Sequence, residues 1–430
     1  MDGTCSSLAY INDVEESIPS SNSDFKTRCM IHIDRVRESY ANPIKLYRTL
    51  GEMESKNLMT FREVDEDKTL SELSQINCHN GQRKLTLSVL EFLAQALKKD
   101  KSEGIKTVVY AGASGLAAVV AAKIFERVRF VLYDKQPNTV DLISKSFSDV
   151  VIHRSKHDVP DTSKRIVVYQ EWFDDDEAFK FSKMKDILFI SDVRGDDTSE
   201  IEIARDMRAQ QRWAVLTGSE AYMFKFRVPY EWSQEIEEAY NDIEHLEIAA
   251  KKIGKKFKSP IKKTSSNDGN EIEYLDGEAH IQLYARPKTA ELRLIGFKHK
   301  NDTYKTRKFN IAEVENKMAT FNAFYRSHAM YWYGRHCKTF FSPNNFAGYD
   351  AVSEFAIASQ CNSLLGRSTT LVSIKSTLSE ISAAIDEFIT GKTTPEACSI
   401  KTGEKARKPS TRFKELLVEC GRKKNQLKGK

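Results

Sequence analysis

Lysines are seldom interior side chains, so one set in an aromatic and apolar segment needs an explanation. Lys225, within AYMFKFRVP (221–229), either carries its ammonium out at a sheet edge or is held in a site that uses it. Asp192 closes the apolar run LFISD (188–192), at the strand end where open α/β sheets place their ligands. The alternative role for Asp192 is to cap the next helix. Glu291 and Arg293 alternate with Leu292 and Leu294 in TAELRLIGF (289–297), so they share one face of a strand, either exposed or turned toward a site. In VVYAGASGLAA (108–118), Gly112 and Gly115 follow a buried strand directly. Such glycines let the backbone approach a ligand, and the following helix offers free amides. That loop suits a nucleotide-like cofactor or is a plain structural turn. Asp134, at the end of RFVLYD (129–134), stands about 20 residues further on, a spacing suited to accepting the two hydroxyls of a ribose.

Positioning these residues requires a sheet. From residue 106, KTVVYAG, RFVLYD, RIVVYQ, DILFISDV and WAVLTG read as apolar strands. Helix-sized segments such as GLAAVVAAKIFERV and EIARDMRAQQR separate them. This alternation predicts an α/β fold, a mostly parallel sheet with helices on both faces. HIQLYA (280–285) and TAELRLIGF complete the sheet. Before it, GQRKLTLSVLEFLAQALK (81–98) has helical apolar spacing, and after residue 308 the pattern is helical to about 390. Residues 235–275 contain seven lysines between 251 and 263, too many like charges to bury unpaired, which predicts an exposed insertion or linker. The first 25 residues are polar and predicted to be mobile, within an N-terminal extension over 1–80 that is partly disordered. The main domain is expected over 81–398, followed by a basic tail over 399–430.

The totals narrow the classes. No apolar run in the sequence reaches the length of a bilayer span, and the acidic N-terminus lacks the layout of a secretory signal, so a cytoplasmic, membrane-free protein is expected. Seven scattered cysteines with no CxxC pair suggest reduced thiols and no metal site. Of the net charge of +5, residues 401–430 alone carry +8, so the basicity is local to this tail.

Taken together, Lys84, Asp192, Lys225 and Glu291 occur in the order used by RNA 2′-O-methyltransferases. The chain resembles the poxvirus cap-specific mRNA (nucleoside-2′-O-)-methyltransferase family, whose members double as poly(A) polymerase regulatory subunits. GQ and KL around Lys84, VVYAG, ISDVR (190–194), KFRVPYEW (225–232), AELRL (290–294), VENKMATFN and YDAVSEFAIASQCN carry the resemblance, which runs from about residue 81 to 390. It implies a Rossmann-like sheet that binds S-adenosyl-L-methionine through Gln82, Tyr110, Gly112, Gly115, Asp134, Asp192 and Arg194, with Trp172 or Phe173 lining the adenine. It also implies a methylguanine pocket using Tyr230, Glu231, Glu315 and, upstream, Phe61. Capped mRNA is the implied substrate, a poly(A) polymerase or a capping or RNA polymerase subunit the implied partner, and infected-cell cytoplasm or virion the implied place of a viral relative. The glycine loop is one residue shorter than the viral one and lacks its proline. Gln136 stands where relatives carry arginine.

The implied catalytic set also has a chemical logic. A lysine can remove a ribose 2′-hydroxyl proton only if its pKa falls well below about 10.4. Lys84 and the cofactor's sulfonium are expected to push Lys225 down, while Asp192 and Glu291 orient the lysines. Two rival readings are a non-catalytic RNA-binding processivity subunit and a 2′-O-methyltransferase of non-cap RNA. A nicotinamide dehydrogenase lacks support because the loop is not a full GxGxxG.

Overall fold

The computed structural model of the 430-residue chain describes residues 23–41, 47–66, 81–99, 105–113, 115–195, 199–260, 271–285, 289–326 and 348–390. The N-terminal part gives α1 (Ser23–Ala41), a 3-10 turn (Leu50–Glu52), α2 (Phe61–Glu66) and α3 (Gly81–Lys99). Strands and helices then alternate: β1 (Thr107–Ala111), α4 (Gly115–Ile124), β2 (Arg129–Tyr133), α5 (Pro137–Ser146), β3 (Val150–His153), β4 (Ile166–Tyr169), α6 (Asp175–Lys180), β5 (Ile187–Ser191), α7 (Glu200–Leu216) and β6 (Ala221–Phe226). Next come α8 (Gln234–Asn241), α9 (Glu244–Lys252), β7 (Lys256–Lys258), β8 (Glu271–Leu275), β9 (Glu278–Ile281), β10 (Leu292–Phe297) and β11 (Thr303–Asn310). α10 (Ile311–Thr320) runs into a π turn (Phe321–Arg326), and α11 (Gly348–Leu364) and α12 (Leu371–Thr390) close the described chain.

Eight strands form one sheet in the order β3-β4-β2-β1-β5-β6-β10-β9. β1 to β6 are parallel; β10 adds antiparallel to β6, and β9 antiparallel to β10. The strands β1, β4 and β5 are buried along their whole length. That burial follows from helices on both faces, and it is why their sequences read as unbroken apolar runs. One helical layer is made by α3, α4, α5, α11 and α12, the other by α6, α7, α8 and α9. The order of strands reverses between β1 and β5, and at such a reversal the carboxyl ends of the strands leave a crevice for ligands. The architecture is a mixed α/β sheet consistent with a Rossmann-like fold.

Three expectations need correction. WAVLTG is not a strand: residues 213–216 form the last turn of α7, with Trp213, Ala214, Val215 and Leu216 continuing the buried stripe of Ile203, Ala204 and Met207. Gly218, at φ +69°, ends that helix in the left-handed conformation that suits glycine. An apolar helical turn and a short apolar strand look alike over so few residues. Second, the segment 235–275, expected to be an exposed insertion or linker, is a packed insertion in its described part. Leu246, Ala249, Ala250, Ile272, Tyr274 and Leu275 are buried, and β7 and β8 flank β11 in a separate three-stranded sheet. Of its described lysines, Lys251, Lys252, Lys256 and Lys258 are exposed, as expected, and Lys255 is half-buried. Third, the N-terminal extension enters the main core through Phe25, Cys29, Leu50, Met53, Met59 and Val64. Residues 1–22, Lys262, Lys263 and the basic tail lie outside the described residues, so the expectations for them concern no described structure. Among the described residues no helix is long and apolar enough to cross a membrane.

Candidate active site

The chain reversal brings Asp192 to the crevice, since it is the first residue beyond β5 and its amide donates to the Ala111 carbonyl at the end of β1. Lys225 on β6 stands directly opposite Arg293 on β10. Like charges so placed repel, and Asp192 sits between them. Its Oδ1 accepts from Arg293 Nη1 at 2.7 Å and lies 3.3 Å from Lys225 Nζ. Lys225 Nζ also donates to the Asp192 main-chain carbonyl at 3.1 Å. On the far side, Arg293 Nε donates to Gln282 Oε1 at 3.2 Å, and Gln282 Nε2 to Glu291 Oε1 at 3.0 Å. Glu291 Oε1 receives a second contact, from Lys84 Nζ at 3.0 Å. Lys84 comes from the first turn of α3, so this helix and the β6–β10–β9 end of the sheet meet at one carboxylate.

The four residues singled out in the sequence are therefore joined in one string, Lys84–Glu291–Gln282–Arg293–Asp192–Lys225. Two of its members, Gln282 and Arg293, were not assigned a role. Arg293 had a signal, because it shares its strand parity with Glu291, yet the same parity fits an exposed face. Its side chain is only 2% exposed. Gln282 had none, since only the pairing of β9 with β10 carries it to the site. Gln210 on α7 is a further support: its Nε2 donates to the Lys225 carbonyl at 2.6 Å and to Tyr274 Oη of β8.

Burial pushes the Lys225 ammonium below its ordinary pKa. Asp192 and Glu291 oppose this, and the Arg293 and Arg194 charges assist it. The cation expected to act on Lys225 was Lys84; the structure puts Arg293 in that part and commits Lys84 to Glu291. Asp192 is held below the carboxylate range: burial alone would raise it, and Lys225 and Arg293 more than offset burial. Glu291 is depressed strongly in the same way, with Lys84 and Arg293 outweighing burial. Arg293 is raised despite its burial, by Asp192 and Glu291. A lysine poised toward neutrality, beside carboxylates locked in their ionised form, can take a proton from a hydroxyl.

At the crevice, Gly112 has φ +67°, and a Cβ there would meet the Val193 backbone nitrogen at 3.0 Å. Gly115 opens α4 with Thr139 and Leu142 of α5 at its Cα. Tyr110 is fully buried in β1, and Gln82 is half-buried on α3. Asp134 stands at the end of β2, but both its oxygens are engaged: Oδ1 accepts from Gln136 N at 2.9 Å and Oδ2 from Thr139 Oγ1 at 2.6 Å. Phe173 packs inward against Tyr133, Phe189 and Trp213. Trp172 is 53% exposed with Lys135 Nζ 3.9 Å from its ring centre, so of the two only Trp172 offers an accessible ring. Arg194 lies 3.9 Å from Asp206, and its Nη1 is buried with no hydrogen-bond acceptor among the described residues.

Tyr230, 53% exposed, has the Arg227 guanidinium 4.4 Å from its ring centre and accepts from Ala290 N at 3.5 Å through its hydroxyl. Glu200, at the start of α7, holds this corner by accepting from Arg227 Nη2 at 2.6 Å and Tyr230 N at 3.3 Å. Glu315 on α10 belongs to the same corner: burial raises its pKa and the Arg227 charge lowers it. Glu231 is exposed beside Tyr230. Phe61 opens α2, which packs on α10, and its ring makes no stacking contact with Tyr230. Among the described residues no group of three His, Cys, Asp or Glu side chains is arranged to hold a metal ion. No protein-family model matches the chain, and no curated protein is significantly similar to it.

Proposed function

We propose that the chain transfers a methyl group from S-adenosyl-L-methionine to a ribose 2′-hydroxyl of RNA, next to the 5′ cap. The observation that carries this reading is the half-buried string from Lys84 to Lys225 at the sheet's reversal point, with Gln282 and Arg293 fully buried within it. A lowered lysine, two ionised carboxylates and no nucleophilic serine or cysteine in the string suit proton removal from an alcohol rather than acyl transfer.

The crevice residues fit the cofactor. The Gly112 turn leaves the backbone open, Trp172 offers an indole face to a base, and Asp134 keeps unused lone pairs beside the two it has committed. The orphaned Arg194 Nη1 suits the carboxylate of an amino-acid moiety. When bound, S-adenosylmethionine supplies an electrophilic methyl on a sulfonium. Lys225 accepts the hydroxyl proton through its neutral amine. Asp192 anchors that amine at Nζ and through its own carbonyl, so the lone pair keeps one direction. Arg293 adds to burial in lowering the amine's hold on its proton and keeps Asp192 ionised by attraction. Glu291 and Gln282 fix Lys84, whose remaining donors are free to meet the ribose or its phosphate. Holding the groups in place supplies the entropic part of the rate. The Tyr230, Arg227, Glu315 corner, reached through Ala290 from Glu291, suits a positively charged methylguanine by cation–π contact and a nearby acid.

The test is transfer of labelled methyl to short RNA, with and without a methylguanosine cap, by the wild type and Lys225→Ala. Labelling of a ribose that needs both the cap and Lys225 supports the reading. A Lys225→Ala variant with most of its activity removes the lysine from the mechanism, and no labelling of either RNA by the wild type overturns the function.

A further inference from the structure

The small sheet meets the site through the Tyr274–Gln210 hydrogen bond, and it also concentrates cations. In the parallel pair of β7 and β11, Lys256 is opposite Thr303 and Lys258 is opposite Lys305. Residues in register lie on the same face, where Lys256 and Lys258 are exposed and Lys305 is half-buried, while Thr303 opposite Lys256 and Tyr274 opposite Arg307 are buried; Phe257 and the buried Tyr304 lie on the other face. Arg307 continues that face by the same alternation. Lys258 and Lys305 are thus like charges directly across a strand pair, an arrangement that opposes folding. Neighbouring cations are neutralised: Lys255 and Lys298 by Asp302, Arg307 by Asp276 and Glu278, Lys308 by Glu271. Lys256, Lys258 and Lys305 have no carboxylate within 4 Å among the described residues, and neither do Lys251, Lys252 and Lys300 nearby.

We infer that this lysine ladder is a second binding surface, for the sugar-phosphate backbone of RNA beyond the nucleotide being modified. Alternate residues of a strand are about 6.6 Å apart and neighbouring strands about 4.8 Å, a spacing of the same order as that of successive phosphates in an extended strand. Phosphates placed between Lys258 and Lys305 would relieve their repulsion. A protein partner fits less well, since lysine is depleted in protein interfaces and no exposed large apolar residue lies on β7 or β11. The direction is also favourable. β11 is eight residues long, about 26 Å, and passes straight into α10, which carries Glu315 to the Tyr230 corner. That the polyanion is RNA rests on the proposed function; that the face binds a phosphate backbone does not.

The experiment is fluorescence anisotropy of an uncapped, labelled RNA of about 20 nucleotides across a salt series. The triple variant Lys256→Gln, Lys258→Gln, Lys305→Gln should bind at least about tenfold more weakly at low salt. Its log K against log salt slope should fall by about 2, near 0.7 per lost contact on a single strand. Lys258→Glu alone places an acid opposite Lys305 and completes a cross-strand pair, so it should fold as well as the wild type while still losing affinity. Wild-type affinity or slope in both variants, or no RNA binding by the wild type, overturns the inference. Methyl transfer is measured on the same preparations. Transfer with normal binding by the ladder variants would defeat the ladder alone, whereas ladder-dependent binding without transfer would defeat the proposed function alone.

Discussion

Replacing Arg293 with Gln should move the acidic limb of methyl transfer to higher pH. Arg293 Nη1 and Lys225 Nζ contact the same oxygen of Asp192, at 2.7 and 3.3 Å, so the two cations are no more than about 6 Å apart. At an effective dielectric of about 20 their repulsion is about 3 kcal/mol. That corresponds to about two pH units, and the carboxylate between them reduces it toward one. The sign follows from the proposed role: in it Lys225 acts as the neutral amine, so the rate rises with pH through its pKa. Arg293 lowers that pKa, and its loss raises it. The assay is kcat/KM for labelled methyl transfer from about pH 6 to about pH 10. Breaking a buried pair also costs about 3–5 kcal/mol of stability, so thermal unfolding is followed in parallel, and Arg293→Lys serves as the charge-conserving control. A folded Arg293→Gln enzyme whose limb stays in place, or moves to lower pH, would refute the assignment of Arg293 as the charge that keeps Lys225 neutral.

Tyr230→Ala should weaken capped RNA by about 0.5–2 kcal/mol and leave uncapped RNA unchanged; competition by a methylated cap dinucleotide reads this, and equal loss on both RNAs would remove Tyr230 from cap binding. Gly112→Ala forces a side chain into φ +67° and against the Val193 backbone, so it should cost about 1–2 kcal/mol in a thermal melt and weaken calorimetric binding of S-adenosylmethionine. Glu91, whose burial is outweighed by Arg48 and His280, is pulled from 4.5 down to about 2. A depressed acid stabilises above its unfolded pKa and ceases to do so as pH falls through the folded one, so this contribution is complete above pH 4.5 and disappears toward pH 2. Urea melts at neutral and acidic pH should show that loss in the wild type. Glu91→Gln should be less stable by about 3–5 kcal/mol at neutral pH and flatter in its acid response.

What could be read from the sequence was set by how local the signal is. Strands buried on both faces announce themselves as apolar runs, so β1, β2, β4 and β5 were legible, and so were Asp134 and Asp192 at the ends of β2 and β5. β3 was not foreseen because only part of Val150–His153 is covered, at the sheet's edge. Lys225 and Asp192 drew attention by residue type alone. Their partner Arg293 was noticed only for sharing the strand face of Glu291, and its burial could not be read, because it depends on Gln282 and Asp192, which lie 11 and 101 positions away. Lysines 256, 258 and 305 show the opposite failure. Their charge was plain in the sequence, but the face they share exists only through the pairing of β7 with β11, across more than forty residues.

α3 is fastened by residues that are synthesised much later than itself. Arg83, next to Lys84, donates through Nε to Glu354 of α11 at 3.0 Å and reaches Ser382 of α12. Glu91 is tied to Arg48, which in turn reaches Tyr349 at 3.0 Å. During translation the β1–β5 crevice can assemble while α11 is still unmade. At about 5–20 residues per second, the guanidinium beside Lys84 waits roughly ten seconds to a minute for its carboxylate. A growing chain on the ribosome therefore holds the β1–β5 crevice before α3, which carries Lys84, has received its last anchors from α11 and α12.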